Sequence, residues 1–204
     1  MKLISLIFSI VVCSTESLSS IDTFSDSDSS DPLYRVITFD EGIPSQSAID
    51  RILSKSHLNH LELVINSDSE SVCDQLNKFL NDAAGSLTVD EFVVSGTIPV
   101  AVAQSLAVFL ESSQFTKVGL VHDLCQFYNV PYVAQVWDPI LAVLPNLTMR
   151  EFLMPSFDDN DQVYEILDQM IDDEEHCLNQ YVVGYFSRGV YHSASSKCKC
   201  CNWK

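Results

Sequence analysis

The chain has few basic residues for its length. Lysine and arginine together number 11, against 28 aspartate and glutamate residues, so the formal net charge is −17 over 204 residues. Binding to nucleic acid depends on Lys and Arg side chains that neutralise phosphates, and binding to an anionic membrane surface depends on them as well. The composition therefore argues against nucleic acid and against an anionic membrane as partners.

Glycine is also scarce, with six residues in the chain. Phosphate-binding loops are built from glycine-rich turns, and the sequence contains neither a P-loop nor a dinucleotide-binding motif. It also lacks a nucleophile elbow and a zinc-protease helix. We therefore expect no cofactor and favour a binding protein over an enzyme. An active site assembled from distant residues would leave no such motif.

No internal apolar run is long enough to cross a bilayer. The N-terminal run Leu3–Val12 follows Lys2 and precedes small residues, which is the pattern of a secretory signal peptide. We predict a signal peptide over residues 1–19, a Ser- and Asp-rich flexible leader over 20–32, and a secreted protein. In the alternative, Leu3–Phe8 is a buried strand of the repeat described below and the protein is cytoplasmic.

Two further features fit an extracellular protein. Asn146-Leu147-Thr148 is an N-glycosylation sequon, which makes Asn146 the candidate glycosylation site. Cleavage after Cys13 would leave an even number of cysteines, which suits disulfide bonds of undetermined pairing. Three of them lie in a Cys-rich tail, residues 188–204, whose spacing matches no standard zinc site. The six are Cys73, Cys125, Cys177, Cys198, Cys200 and Cys201.

Helical segments recur at a nearly constant interval. Four segments begin at Val72, Val102, Val133 and Val163, at successive intervals of 30, 31 and 30 residues, and each has apolar residues at i, i+4, i+7 and i+8. This spacing places the apolar side chains on one stripe of a helix, the face that is buried in a globular protein. A weaker fifth copy begins at Ser45. Pro139 lies inside the third of the four, so we expect that helix to kink or end early.

A short β-prone run precedes each helix, and a sixth run closes the series. Alternating strands and helices predict parallel strands joined by crossover connections. Two architectures fit: a solenoid with strands in sequence order and all helices on one side, or a doubly wound sheet with helices on both faces. The solenoid explains why equivalent side chains recur at equal offsets. The runs are Tyr34–Phe39, Leu61–Ile65, Glu91–Ser95, Lys117–Val121, Glu151–Met154 and Gln180–Phe186.

The strand regions resemble leucine-rich repeats. The segment from Leu58 to Asn66, Leu-Asn-His-Leu-Glu-Leu-Val-Ile-Asn, matches the signature Leu-x-x-Leu-x-Leu-x-x-Asn. Four later segments, beginning at Val89, Phe115, Met149 and Leu178, keep its apolar positions but lack the Asn. The resemblance is to a divergent member of the ribonuclease-inhibitor-like class over residues 33–187. It implies a short β-α solenoid that binds another protein on its concave strand face.

The histidines and acidic clusters give no metal site. His57 and His60 flank one strand without a third ligand, and the run Asp158–Asp161 lacks the Gly and Glu of a calcium loop. His122 and Asp123 follow the fourth β-prone run, where α/β enzymes place ligands. They are the starting point of an alternative in which the chain is an α/β enzyme with a site at the strand C-termini.

Outward-facing strand residues are the candidate binding residues. If the apolar signature positions point inward, the residues between them form an apolar centre beside a charged edge, as in many protein interfaces. We therefore predict a non-enzymatic recognition module; the second alternative is an intracellular F-box-associated-type adaptor fragment. The predicted partner-binding residues are His60, Glu62, Glu91, Val93, Lys117, Glu151, Leu153 and Val182.

Overall fold

Strands and helices alternate along the chain as the sequence predicts. The computed structural model describes residues 33–42, 44–121, 130–157, 161–172, 178–183 and 186–189. Within these residues the elements are β1 (Tyr34–Phe39), α1 (Gln46–Leu53), β2 (His57–Ile65), α2 (Glu70–Ala83), β3 (Thr88–Gly96), α3 (Val100–Ser112), β4 (Lys117–Val121), α4 (Ala134–Val143), a 3-10 turn (Leu144–Asn146), β5 (Glu151–Met154), α5 (Asp161–Asp172), β6 (Gln180–Val183) and β7 (Phe186–Gly189). The α/β class is confirmed.

The seven strands form one sheet in the order β1-β2-β3-β4-β5-β6-β7. Strands β1 to β6 are parallel, and β7 pairs antiparallel with β6. The single closing strand predicted over Gln180–Phe186 is wrong. The run divides into the end strand β7 and its partner β6, and β7 continues to Gly189, past the expected domain end at residue 187.

The helical template residues are buried as expected, except that Val133, which precedes α4, is 39% exposed. Leu76 and Phe79 of α2 have their equivalents in Leu106 and Phe109 of α3, and all four are at most 1% exposed. These helices and the inward strand residues share one hydrophobic core, which also includes buried residues of α1, α4 and α5. The expected early end of the helix at Pro139 is wrong, because α4 continues through Pro139 to Val143 before tightening into a 3-10 turn.

A shared carbonyl marks the start of several strands. The carbonyl oxygen of Leu33 accepts bonds from both Asn59 and His60 N–H at 3.0 and 3.3 Å, and Thr116 and Arg150 oxygens accept paired bonds in the same way. Two consecutive residues then face one residue of the neighbouring strand, as in a β-bulge. The bulge shifts the alternation of side chains, so that Leu58, Leu61 and Leu63 are all buried. The spacing Leu-x-x-Leu-x-Leu therefore matches the backbone.

The outer edge of β1 carries a charged side chain. Leu33 and Phe39 direct their carbonyls toward β2, so the carbonyl of Tyr34 points to the opposite side. The Arg35 guanidinium donates to that carbonyl oxygen at 2.5 Å. This bond occupies an acceptor that a further strand would otherwise use.

Candidate functional site

One face of the sheet has no described helix over it; we call it the open face. Its half-buried side chains alternate with buried ones over residues 61–65 of β2 and 92–95 of β3, whereas Gly119 of β4 is itself buried. Register pairs align these side chains in rows across the sheet. The polar row consists of Tyr34, His60, Glu91, Lys117, Glu151 and Gln180, and the central row of Val36, Glu62, Val93, Gly119, Leu153 and Val182.

All eight predicted partner-binding residues lie on the open face. Four belong to the polar row and four to the central row. Glu91 is exposed and the other seven are half-buried. Their location is as predicted, and their binding role stays a prediction. Beyond the central row, Val64, Ser95 and Val121 form a third row, while Pro155 follows the end of β5.

Four residues on β1, β2 and β3 form what we call the acidic corner: Tyr34, His60, Glu62 and Glu91. The rings of Tyr34 and His60 stack with centroids 4.2 Å apart and an interplanar angle of 3°. His60 Nδ1 lies 3.3 Å from Glu91 Oε2, and the Glu91 side chain is 48% exposed. His60 Nε2 is buried without a hydrogen-bond partner. The Nδ1 atom of His60 thus lies beside a carboxylate, and the Nε2 atom is shielded from solvent.

Two carboxylates place the Tyr34 hydroxyl in a negative environment. Burial raises the pKa of Tyr34 above its ordinary value of 10.0, and the charges of Glu62 and Glu91 raise it further. Glu62 accepts a hydrogen bond of 2.6 Å from the Ser95 hydroxyl. Among the described residues neither Glu62 nor Glu91 has a Lys or Arg partner within ion-pair distance. In the part of the chain that the structure describes, the two carboxylates of the corner therefore have no Lys or Arg partner, and His60 is the basic side chain beside Glu91.

The middle of the open face is apolar around a glycine. Gly119 on β4 lies between Val93 and Leu153 in the central row. A Cβ atom added at Gly119 would lie 3.5 Å from Val93 Cγ2 and 3.9 Å from Val121 Cγ2, which is ordinary van der Waals contact. The only described ion pair of the polar row that includes a lysine joins Lys117 Nζ to Glu151 Oε2 at 4.0 Å beside this apolar region.

The second histidine of the predicted pair lies at the amino end of β2. His57 Nε2 is 3.5 Å from Asp90 Oδ2, and His57 Nδ1 is 3.2 Å from the Thr88 hydroxyl. Within residues 33–42, 44–121, 130–157, 161–172, 178–183 and 186–189, no group of three or more His, Cys, Asp or Glu side chains has a geometry suited to a metal ion.

A small apolar cleft lies at the carboxyl ends of β3 and β4, where the enzyme alternative places its site. Its polar side-chain groups are the Thr97 hydroxyl and the Trp137 indole N–H; the rest of the lining is aliphatic or backbone and includes Ile98, Val121 and Val136. Thr97 is of a nucleophilic type, but none of the lining side chains is an acid or a base that could activate it. His122 and Asp123 lie outside the described residues.

Cys73 is a free thiol, buried in α2. Its pKa is raised by burial, and further by the charges of Asp68 and Asp74. Cys73 thus forms no disulfide bond with another described residue, and the expected disulfide bonds stay a prediction. The other five cysteines lie outside the described residues, as do the predicted signal peptide, the leader, Asp158–Asn160 and the tail from residue 190 onward.

Asn146 ends the 3-10 turn after α4, and its side chain is exposed. Within the described residues, no helix combines the length and the apolar character needed to cross a bilayer.

Sequence reasoning missed Tyr34 as a member of the site. His60 follows Tyr34 by 26 residues and Glu151 follows Lys117 by 34, so the strand register departs from the interval of the helices. The missed signal was an aromatic residue at the first position of the first β-prone run.

Comparison of the chain with protein-family models, with curated proteins and with solved structures gives no match.

Proposed function

We propose that this chain is a non-enzymatic recognition module that binds another protein on the open face. The supporting observation is that six parallel strands bury one face against helices and leave the other without a described cover. That face carries an apolar centre, formed by Val93, Leu153 and Val182, beside a row of charged side chains. Protein interfaces commonly combine an apolar centre with a polar rim.

We also propose that the fold is a divergent leucine-rich-repeat-like solenoid. Strands in sequence order, a shared core and the recurring shared carbonyls support this proposal. Asn66, which occupies the Asn position of the signature, is exposed, and its backbone N–H donates to the Phe39 carbonyl. Its side chain does not make the backbone bond that the signature implies among the described residues. The repeat resemblance therefore rests on the apolar positions.

The test of the binding face uses random peptides displayed on phage and selected on the immobilised full chain. We expect selected peptides to lose binding to the Val93→Glu variant, because a carboxylate in the apolar centre must stay hydrated. The matched control is Val108→Glu, at an exposed position of α3 on the helix side. Circular dichroism checks that both variants are folded. Peptides that bind Val93→Glu as well as they bind the unmodified chain would overturn the proposed function.

We propose in addition that the protein is secreted and carries a glycan on Asn146. The exposure of Asn146 in the short turn after α4 supports this, because an acceptor asparagine must be accessible. Expression in a secreting eukaryotic host should give protein in the medium whose mass falls on treatment with an N-glycosidase. The Asn146→Gln variant should show no such shift. An unglycosylated product retained inside the cell would contradict this proposal.

A further inference from the structure

The open face has two distinct chemical halves, and together they specify a kind of partner. The acidic corner lies on β1, β2 and β3, and the apolar region around Gly119 lies on β3, β4 and β5. Glu62 and Gly119 belong to the same central row and are two strands apart. Neighbouring strands are about 4.8 Å apart, so these two positions are separated by about 10 Å.

The first half suits a cation. Glu62 and Glu91 have no described Lys or Arg partner, and their charges reach the Tyr34 hydroxyl. Lys117 is the cross-strand neighbour of Glu91, but its Nζ lies 4.0 Å from Glu151 Oε2 and makes no described ion pair with Glu91. A guanidinium or ammonium group placed between Glu62 and Glu91 would contact two carboxylates. The net charge of −17 on the whole chain would also attract such a cation.

The second half suits a bulky apolar group. Glycine in the interior of a strand lowers stability and often marks a place where another molecule approaches the backbone closely. The backbone of Gly119 does not need glycine, because its φ is not positive and an added Cβ would make only ordinary contacts. Gly119 is itself buried, in a strand that pairs on both sides, and it adds no side chain to the open face; we call the position between Val93, Val121 and Leu153 the Gly119 notch.

We propose that the partner is a protein segment that presents a basic side chain to the acidic corner and a large apolar side chain to the Gly119 notch, about 10 Å apart. This inference rests on the proposed function. It adds the chemistry of the partner and the two positions that recognise it. The apolar group supplies the buried anchor, and the basic group sets the orientation of the segment and speeds its association.

The experiment uses the phage selection described above, with variants that separate the two halves. Enriched peptides should contain Lys or Arg together with Trp, Phe or Leu. A synthetic enriched peptide should bind the Glu62→Gln/Glu91→Gln double variant about tenfold more weakly or worse, and added salt should weaken its binding to the unmodified chain. The matched charge control is Glu111→Gln, an exposed carboxylate of α3, which should leave affinity unchanged.

The notch is tested with Gly119→Ala and Gly119→Val. Both should melt near the temperature of the unmodified chain, and peptide affinity should fall progressively, by about tenfold or more for valine. Peptides that depend on Val93 but lack a basic residue, or that ignore the double variant and Gly119→Val, would overturn this inference and leave the proposed function standing. Failure to enrich any peptide that depends on Val93 would overturn both.

Discussion

Gly96 and Gly119 are strand glycines with opposite structural requirements. Gly96 has a φ of +103°, and a Cβ atom there would lie 2.2 Å from the carbonyl oxygen of Ile65. We expect Gly96→Ala to lower the free energy of unfolding by more than about 2 kcal/mol, because β2 or β3 must move. Gly119→Ala should change it by less than about 1 kcal/mol. Urea denaturation of the two variants measures both; equal effects would contradict the assignment.

The titration of Tyr34 should make the free energy of unfolding depend on pH in the alkaline range. Because its pKa is raised above 10.0 in the folded state, the unfolded chain releases this proton first as pH rises. The contribution of Tyr34 is fully present below the unfolded pKa of 10.0 and is lost as pH rises through the folded pKa. The free energy of unfolding should therefore fall with pH above this value.

The Tyr34→Phe variant should show a shallower fall of unfolding free energy at alkaline pH. Chemical denaturation across the alkaline range measures the slope, and absorbance of the phenolate follows the titration directly. An unchanged slope in Tyr34→Phe would show that its proton release is not linked to folding.

At the residue scale, the sequence predicted which side chains share the open face but not which of them interact. Alternation along a strand assigns a residue to a face, and this placed Glu62 and Glu91 together. Contact across strands depends on register, which the shared carbonyls set. Tyr34 and His60 stack because β1 begins 26 residues before its partner position, and no constant interval predicts that number.

At the scale of elements, the core depends on aromatic side chains that link a helix to the strands beneath it. Phe109 of α3 is fully buried, with its ring centroid 5.0 Å from that of Phe92 and 5.8 Å from that of Phe115. We expect Phe109→Ala to cost about 3 to 5 kcal/mol of unfolding free energy, because it removes a large buried side chain and leaves a cavity.

The adjacent residue provides the control for this helix. Val108 is 42% exposed, and Val108→Ala should change the unfolding free energy by about 0.5 kcal/mol or less. Thermal or urea denaturation of both variants gives the comparison. A small effect at Phe109 would show that the aromatic contacts between α3 and the sheet contribute little to stability.

The helices were the elements most accessible to prediction. Their apolar stripes follow the period of 3.6 residues, and the recurring template identified the buried face of each one. Strand starts were less accessible: β2 begins at His57 and β3 at Thr88, earlier than the predicted Leu61 and Glu91. In β2 the alternation of apolar residues breaks where the Leu33 carbonyl bonds both Asn59 and His60, and in β3 it breaks at the exposed pair Asp90 and Glu91, so a period of two does not extend through these starts.

Because the whole molecule has an excess of acidic residues, added salt should stabilise the fold and weaken the binding of a basic peptide. With 28 acidic and 11 basic residues, repulsion among carboxylates opposes the compact state. Raising the ionic strength from low to physiological should raise the midpoint of urea unfolding, because salt screens this repulsion. A midpoint that falls or stays constant as salt is added would contradict this account. The same salt should weaken binding of a basic peptide.

The order of the strands was predictable for the part of the sheet in which each β-α unit resembles its neighbour. Strands in sequence order follow when each β-α unit packs on the previous one, and β1 to β6 obey this rule. The antiparallel β7 does not repeat the unit, so the repeat interval gave no warning of it. Gly184, between β6 and β7, was the available sequence signal, because an isolated glycine often interrupts a strand.

The hydrogen bond from the Arg35 guanidinium to the carbonyl of Tyr34 affects whether copies of the protein can associate through β1 at high concentration. Exposed strand borders recruit other chains into amyloid-like ladders, and natural proteins often place a cation there to discourage it. Here the cation also occupies an acceptor that a recruited chain would need. We therefore expect Arg35 to hinder polymerisation through this border of the sheet.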